Sequence, residues 1–271
     1  MDVNVQDMMD EFIDDAALKG AVSLQRDEIE LCFNMLAEFL VYYSNLFQDG
    51  EDAEDAPMDD WEVSLESYVE KLFDGDMEGS IDLTSLPLRA LDAEYLRDFL
   101  AWHVLREPHV SSVLVESLGE VLRAWALWMQ QRHVLDDVAC HEWCSMLDDV
   151  VLEASRAAKA AHLLLYYVRL GAGIAPRLRG QRFEAFVEGH ARIERLDVAA
   201  RQVFLGFDNQ DAPVLMLTFP KDIIQYLHEG DVLDVEVGKR GGQWTMVDVG
   251  PVYPPCVYIE ADELKVPDKL T

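Results

Sequence analysis

The chain has 271 residues, half of them hydrophobic, with 52 acidic against 22 basic side chains and a formal net charge of −30. That apolar content excludes global disorder and suffices for one large or two ordinary domains. The charge opposes non-specific binding to nucleic acid or anionic membrane, because phosphate contact needs clustered lysine and arginine.

The first segment carries no basic stretch ahead of an apolar core, so a signal peptide is not expected. Residues 3–18 place Val5, Met8, Met9, Phe12 and Ile13 on one side of a helix. Ser23 offers a cap for the next helix, whose stripe runs through Ile29, Cys32, Phe33, Leu36, Leu40, Tyr43 and Phe47. Residues 49–60 read as an acidic loop, solvated or open to a basic peptide. A helix to about Phe73 follows, with Trp61, Leu65, Tyr68, Val69 and Leu72 inward. Asp92 is a strong N-cap for a stripe through Tyr95, Leu96, Phe99, Leu100 and Val104, which Pro108 ends. Two further helices follow, one from Leu114 to Met129, the other from Asp136 through Trp143, Leu147, Val150 and Ala158 to Leu165.

Near Gly171 the pattern changes. Residues 1–176 hold 36 acidic against 11 basic residues, residues 177–271 only 16 against 11. Gly171, Gly173 and Pro176 read as a linker. Strands are expected over 183–193, 202–207 and 214–219, then a helical turn over 222–228. A hairpin of 232–237 with 243–249 turns through Lys239-Arg240-Gly241-Gly242. The expected fold class is α+β, an acidic bundle of about six helices followed by a five-stranded barrel. The order β-β-β-α-β-β favours an OB-like barrel over an SH3-like one. The expected domains are 1–170 (helical), 171–180 (linker), 181–250 (barrel) and 251–271 (extension).

Ile81-Asp82-Leu83-Thr84, then Leu91-Asp92-Ala93-Glu94-Tyr95-Leu96-Arg97-Asp98-Phe99-Leu100, the helix Leu118–Met129 and the link Val134-Leu135-Asp136-Asp137 make a pattern. In it, residues 80–150 resemble the helical core-binding domain of tyrosine recombinases, the phage-type integrases. The resemblance implies a helix topology over a quarter of the chain. It carries over no functional residue, since that family's basic DNA-gripping helices and its catalytic arginine, histidine and tyrosine domain have no counterpart here.

Asp74, Asp76, Glu78 and Asp82 alternate as calcium ligands do in an EF-hand loop, with Gly79 at the turn. Ser85 stands where the closing bidentate glutamate belongs, and Pro87 where the exiting helix should begin. An acidic turn is the competing reading. Cys140 and Cys144, with His133 and His141 nearby, could supply two zinc ligands, but buried helical cysteines explain them as well. Arg177, Arg179, Arg182, Lys239 and Arg240, beside Phe183 and Phe186, form the candidate nucleic-acid surface on the barrel. Against it stand ion pairing of these cations with the acidic helices and local charge balance from Asp208, Asp211, Asp231 and Asp234.

No phosphate loop, nucleophile elbow or zinc-protease motif appears in the sequence. The reading is therefore a non-enzymatic binding or adaptor protein, without a cofactor, that recognises another protein, one with a basic surface included. A cytoplasmic location follows from four cysteines without an export signal. The alternatives are a single-stranded nucleic-acid binder, a calcium-responsive protein, or an enzyme with an interdomain site.

Overall fold

The computed structural model describes residues 3–19, 25–48, 83, 86–108, 110–174, 176–207 and 214–262. The chain divides into two compact units, residues 1–92 with 124–137, and residues 93–123 with 138–271.

In the first unit, α1 (Val5–Lys19) and α2 (Arg26–Gln48) pack apolar faces. Asn4 caps α1 by accepting the Asp7 N–H at 2.7 Å. Gln25, not the expected Ser23, precedes α2, and Glu28 reaches back to accept its N–H at 2.7 Å, half of a capping box. The core is aromatic. Phe12 meets Phe33 and Trp128 edge-on at 5.8 and 5.6 Å, and Phe33 meets Trp125 at 5.2 Å. Both indoles are satisfied, Trp125 donating to the Met8 carbonyl and Trp128 to Asp15.

The second unit holds α3 (Ala93–Asp98), a π-helical stretch Phe99–His103 and α4 (Val104–Arg106), which together bury Leu96, Phe99, Leu100 and Val104 as the sequence predicts. The π turn was not expected from the periodicity. Helix α5 (Ser112–Gln131), whose residues from Ala124 belong to the first unit, starts with Ser111 accepting the Leu114 N–H, and α6 (Asp137–Arg169) is the longest element described. A Cβ added at Gly119 of α5 would fall 2.3 Å from Val151 of α6, so the glycine permits that close approach.

Strands follow the glycines near 171. They are β1 (Ala185–Asp197), β2 (Gln202–Gly206), β3 (Leu215–Thr218), β4 (Val232–Arg240) and β5 (Gln243–Tyr253), with α7 (Lys221–Ile224) between β3 and β4. They form one antiparallel sheet in the order β3-β2-β1-β4-β5. Bulges in β1 and between β4 and β5 bend it into a curled half-barrel. Val203, Leu205, Leu215, Leu217, Val235 and Val237 fill one face, and Phe219 and Ile223 extend that core. The fold is thus α+β, with helices before Gly171 and a five-stranded sheet after it. No described helix is long and apolar enough to cross a membrane.

Candidate functional site

The β4–β5 hairpin is tighter than its sequence suggests. Strand β4 continues through Lys239 and Arg240, and only Gly241 and Gly242 form the turn. Their φ values of 52° and 75° are the two left-handed residues of a type I′ turn, which matches the twist of paired strands. The turn therefore sets Lys239 opposite Trp244 and Arg240 opposite Gln243 on regular strand.

A basic and aromatic cluster is built on this end of the sheet. Phe183 lies against Gly238, where an added Cβ would fall 2.4 Å from the ring. The Arg240 guanidinium covers Phe183 at 3.4 Å from its centroid, and Phe186, an exposed side chain, meets that ring tilted by 50° at 4.4 Å between centroids. Lys239 Nζ stands 5.8 Å from the Trp244 ring. Arg240 Nε is buried without a hydrogen-bond partner among the described residues. Arg177, Arg179 and Arg182 are exposed on the segment leading into β1, and the Arg179 carbonyl accepts a long 3.5 Å hydrogen bond from Arg240. The five cations of the candidate surface thus share one unit, and Arg240 joins the segment bearing Arg179 to the hairpin. The ion pairs expected for them are not found: none of the five has a carboxylate partner among the described residues. Other arginines are paired, Arg26 with Glu30, Arg97 with Asp98 and Arg132 with Glu11.

Asp231 does not balance these charges as the sequence suggested. It is fully buried and grips Arg156 of α6 in a two-pronged pair at 2.7 and 2.8 Å. Arg156 also donates to the Tyr226 carbonyl and to Glu153, and Asp231 accepts the His228 N–H. Burial, the larger effect, pushes the Asp231 carboxyl above its ordinary value, while Arg156 and the His228 N–H pull it back. Burial lowers Arg156, but its bonds to Asp231 and Glu153 overcome this and hold it above the usual arginine value. These groups hold α6 to the sheet and are spent there.

Beside the hairpin, a cleft of about 370 Å³ opens between β3 and β5, the two edge strands, with no ladder joining them among the described residues. Met216, Thr218, Trp244 and Tyr167 line it. Met216 and Val214 are nearly half exposed. Tyr167 meets Phe219 edge-on and donates to the Thr218 carbonyl at 3.4 Å. The sequence marks 214–219 as a strand but carries no sign of this open edge.

Asp74, Asp76, Glu78 and Asp82 lie outside the described residues. Cys140 is buried and Cys144 half-buried on α6, both as free thiols. No group of three or more candidate metal ligands occurs among the described residues. Comparison with family models, with curated proteins and with solved structures gives no match for this chain.

Proposed function

We propose that the chain is a non-enzymatic binding or adaptor protein and that the hairpin end of its sheet recognises an acidic segment of another protein. The observation that carries this reading is that five cations, three on the segment entering β1 and two at the end of β4, have no carboxylate partner among the described residues, in a chain with 30 net negative charges. An exposed cation in so acidic a molecule has abundant opportunity to pair. Leaving several unpaired in one unit fits a surface completed by an external anion. The sheet itself is proposed to be an OB-type barrel, on its order β3-β2-β1-β4-β5 and the helix between β3 and β4. A cytoplasmic location is in keeping with four free thiols.

Single-stranded nucleic acid is the second reading, favoured by cations stacked on aromatic rings. The stacking geometry weighs against it. One face of Phe183 is covered by Arg240 while the ring also abuts Gly238, and Phe204 is covered by Arg195 at 3.8 Å. A base would have to displace the protein's own guanidinium groups to stack there.

Fluorescence anisotropy of the full chain with labelled polyaspartate and labelled oligothymidylate separates the two. Polyaspartate is expected to bind, and Lys239→Glu with Arg240→Glu is expected to abolish binding. Tighter binding of oligothymidylate would replace the first reading by the second.

A further inference from the structure

The two cations of the hairpin differ in what they can do. Successive strand residues face opposite sides of a sheet. Lys239 therefore lies with Trp244 on one face, and Arg240 lies with Gly238 and Phe183 on the other. The Arg240 guanidinium has its central carbon 3.4 Å from the Phe183 ring centroid. That is the contact distance of two flat groups. An edge-on guanidinium would put a nitrogen between its central carbon and the ring, and the carbon would stand farther off. The guanidinium thus lies flat on the ring, with its five N–H groups directed outward in its own plane.

The platform under this guanidinium is itself fixed, because Phe183 abuts Gly238 on one side and meets Phe186 on another. Much of the side-chain freedom that Arg240 would lose on capturing an anion is therefore already lost. Its hydrogen bonding, however, is poorly satisfied. Nε is buried without a partner among the described residues. Nη1 makes a single 3.5 Å bond to the Arg179 carbonyl, at the outer limit of hydrogen bonding, and Nη2 makes none among the described residues. Arg156 is the contrast, since its three nitrogens all donate, to Glu153, Asp231 and the Tyr226 carbonyl at 2.7–3.1 Å.

We infer that Arg240 is the specificity-determining residue of the hairpin surface and takes an aspartate or glutamate carboxylate of the acidic segment end-on, through Nη1 and Nη2, with Phe183 as its platform. The two oxygens of a carboxylate match two parallel N–H groups of the guanidinium fork. Capture exchanges one long bond to a carbonyl for two charge-assisted bonds. The buried Nε leaves the end of the fork, not its side, to the ligand. A single guanidinium balances one negative charge, which suits a carboxylate better than a phosphate monoester of nearly two. Lys239, on the other face, adds charge without this geometry. The inference rests on the recognition reading above and adds to it which group reads the partner, and how.

The test is anisotropy of the full chain with labelled polyaspartate, using variants that separate charge from geometry. Arg240→Lys keeps the charge and removes the fork. It is expected to weaken binding about tenfold, as the loss of one hydrogen bond to a charged group does. Phe183→Leu keeps an apolar side chain but removes the flat platform, and a similar loss is expected. Phe183→Tyr restores a ring and is expected to bind as the unaltered chain does. Lys239→Gln deletes a whole charge from the other face and is expected to cost about threefold or less. Arg240→Lys binding undiminished, or Lys239→Gln costing as much as Arg240→Lys, overturns the inference. So does undiminished binding by a folded Phe183→Leu protein. If circular dichroism shows that Phe183→Leu does not fold, Arg240→Lys and Lys239→Gln decide alone. Tighter binding of labelled polyphosphate than of polyaspartate overturns the choice of a carboxylate. If Lys239→Glu with Arg240→Glu abolishes binding while Arg240→Lys leaves it unchanged, the recognition surface stands and the fork fails. Binding that survives the double reversal, or that is absent from the unaltered chain, overturns both.

Discussion

Arg156 and Asp231 stand 75 positions apart in the chain yet form the most deeply buried charge pair among the described residues, with side-chain exposures of 10% and 0%. Burial of two charges is costly, and their attraction repays it only when both are fully bonded. Removing one partner strands the other. Arg156→Met or Asp231→Leu alone should therefore cost about 3–5 kcal/mol. The two substitutions together should cost less than the sum, because no uncompensated charge remains. Urea denaturation of the four proteins of the cycle measures this; additive losses would show that the pair contributes nothing as a pair. No local signal marked these residues. Asp231 reads in the sequence as a turn residue after Gly230, and Arg156 sits beside Glu153 and Lys159, off the apolar stripe of its helix. Only the packing of α6 on the turn before β4 brings them together.

At the scale of elements, what the sequence disclosed and what it withheld have physical causes. Helices α1, α2, α5 and α6 and all five strands follow from hydrophobic period, since each buries a single face. The Gly-Gly pair announced the hairpin, although the strands run closer to the turn than expected, because a type I′ turn needs only two residues with positive φ. The five basic residues of the candidate surface were legible as charges. Their companionship was not, for it depends on Phe183 reaching across to Gly238 and on Arg240 lying over that ring. The open edge of β3 was hidden too, since strand order follows from long-range pairing and not from residue type. Gly238 is the element-level hinge of the site. Gly238→Ala would force Phe183 away from the strand, because 2.4 Å is far inside van der Waals contact. A stability loss of about 1–3 kcal/mol in denaturant melts is expected from such overpacking. Binding of the acidic probe should fall with it, as Arg240 loses its platform. Retained binding at full stability would mean that the ring does not position the guanidinium.

At the scale of the whole molecule, two fields of opposite sign act on any anionic partner. The chain as a whole carries −30, and residues 177–271 with their cluster of cations carry only −5 of it. Their ranges differ with salt. At about 0.01 M the Debye length is about 30 Å, so the partner senses the negative molecule, whereas at about 0.1 M it is about 10 Å and the local cluster prevails. At about 1 M, near 3 Å, the cluster is screened as well. Binding of an acidic segment at the hairpin end should therefore pass through a maximum as salt rises. The most direct measurement is anisotropy of the full chain with labelled polyaspartate across that salt range, beside Lys239→Glu with Arg240→Glu. The prediction is a binding maximum near the middle of the range that vanishes in the doubly reversed protein. Affinity that is absent at every salt concentration, or that survives the charge reversal, would contradict recognition at the hairpin end.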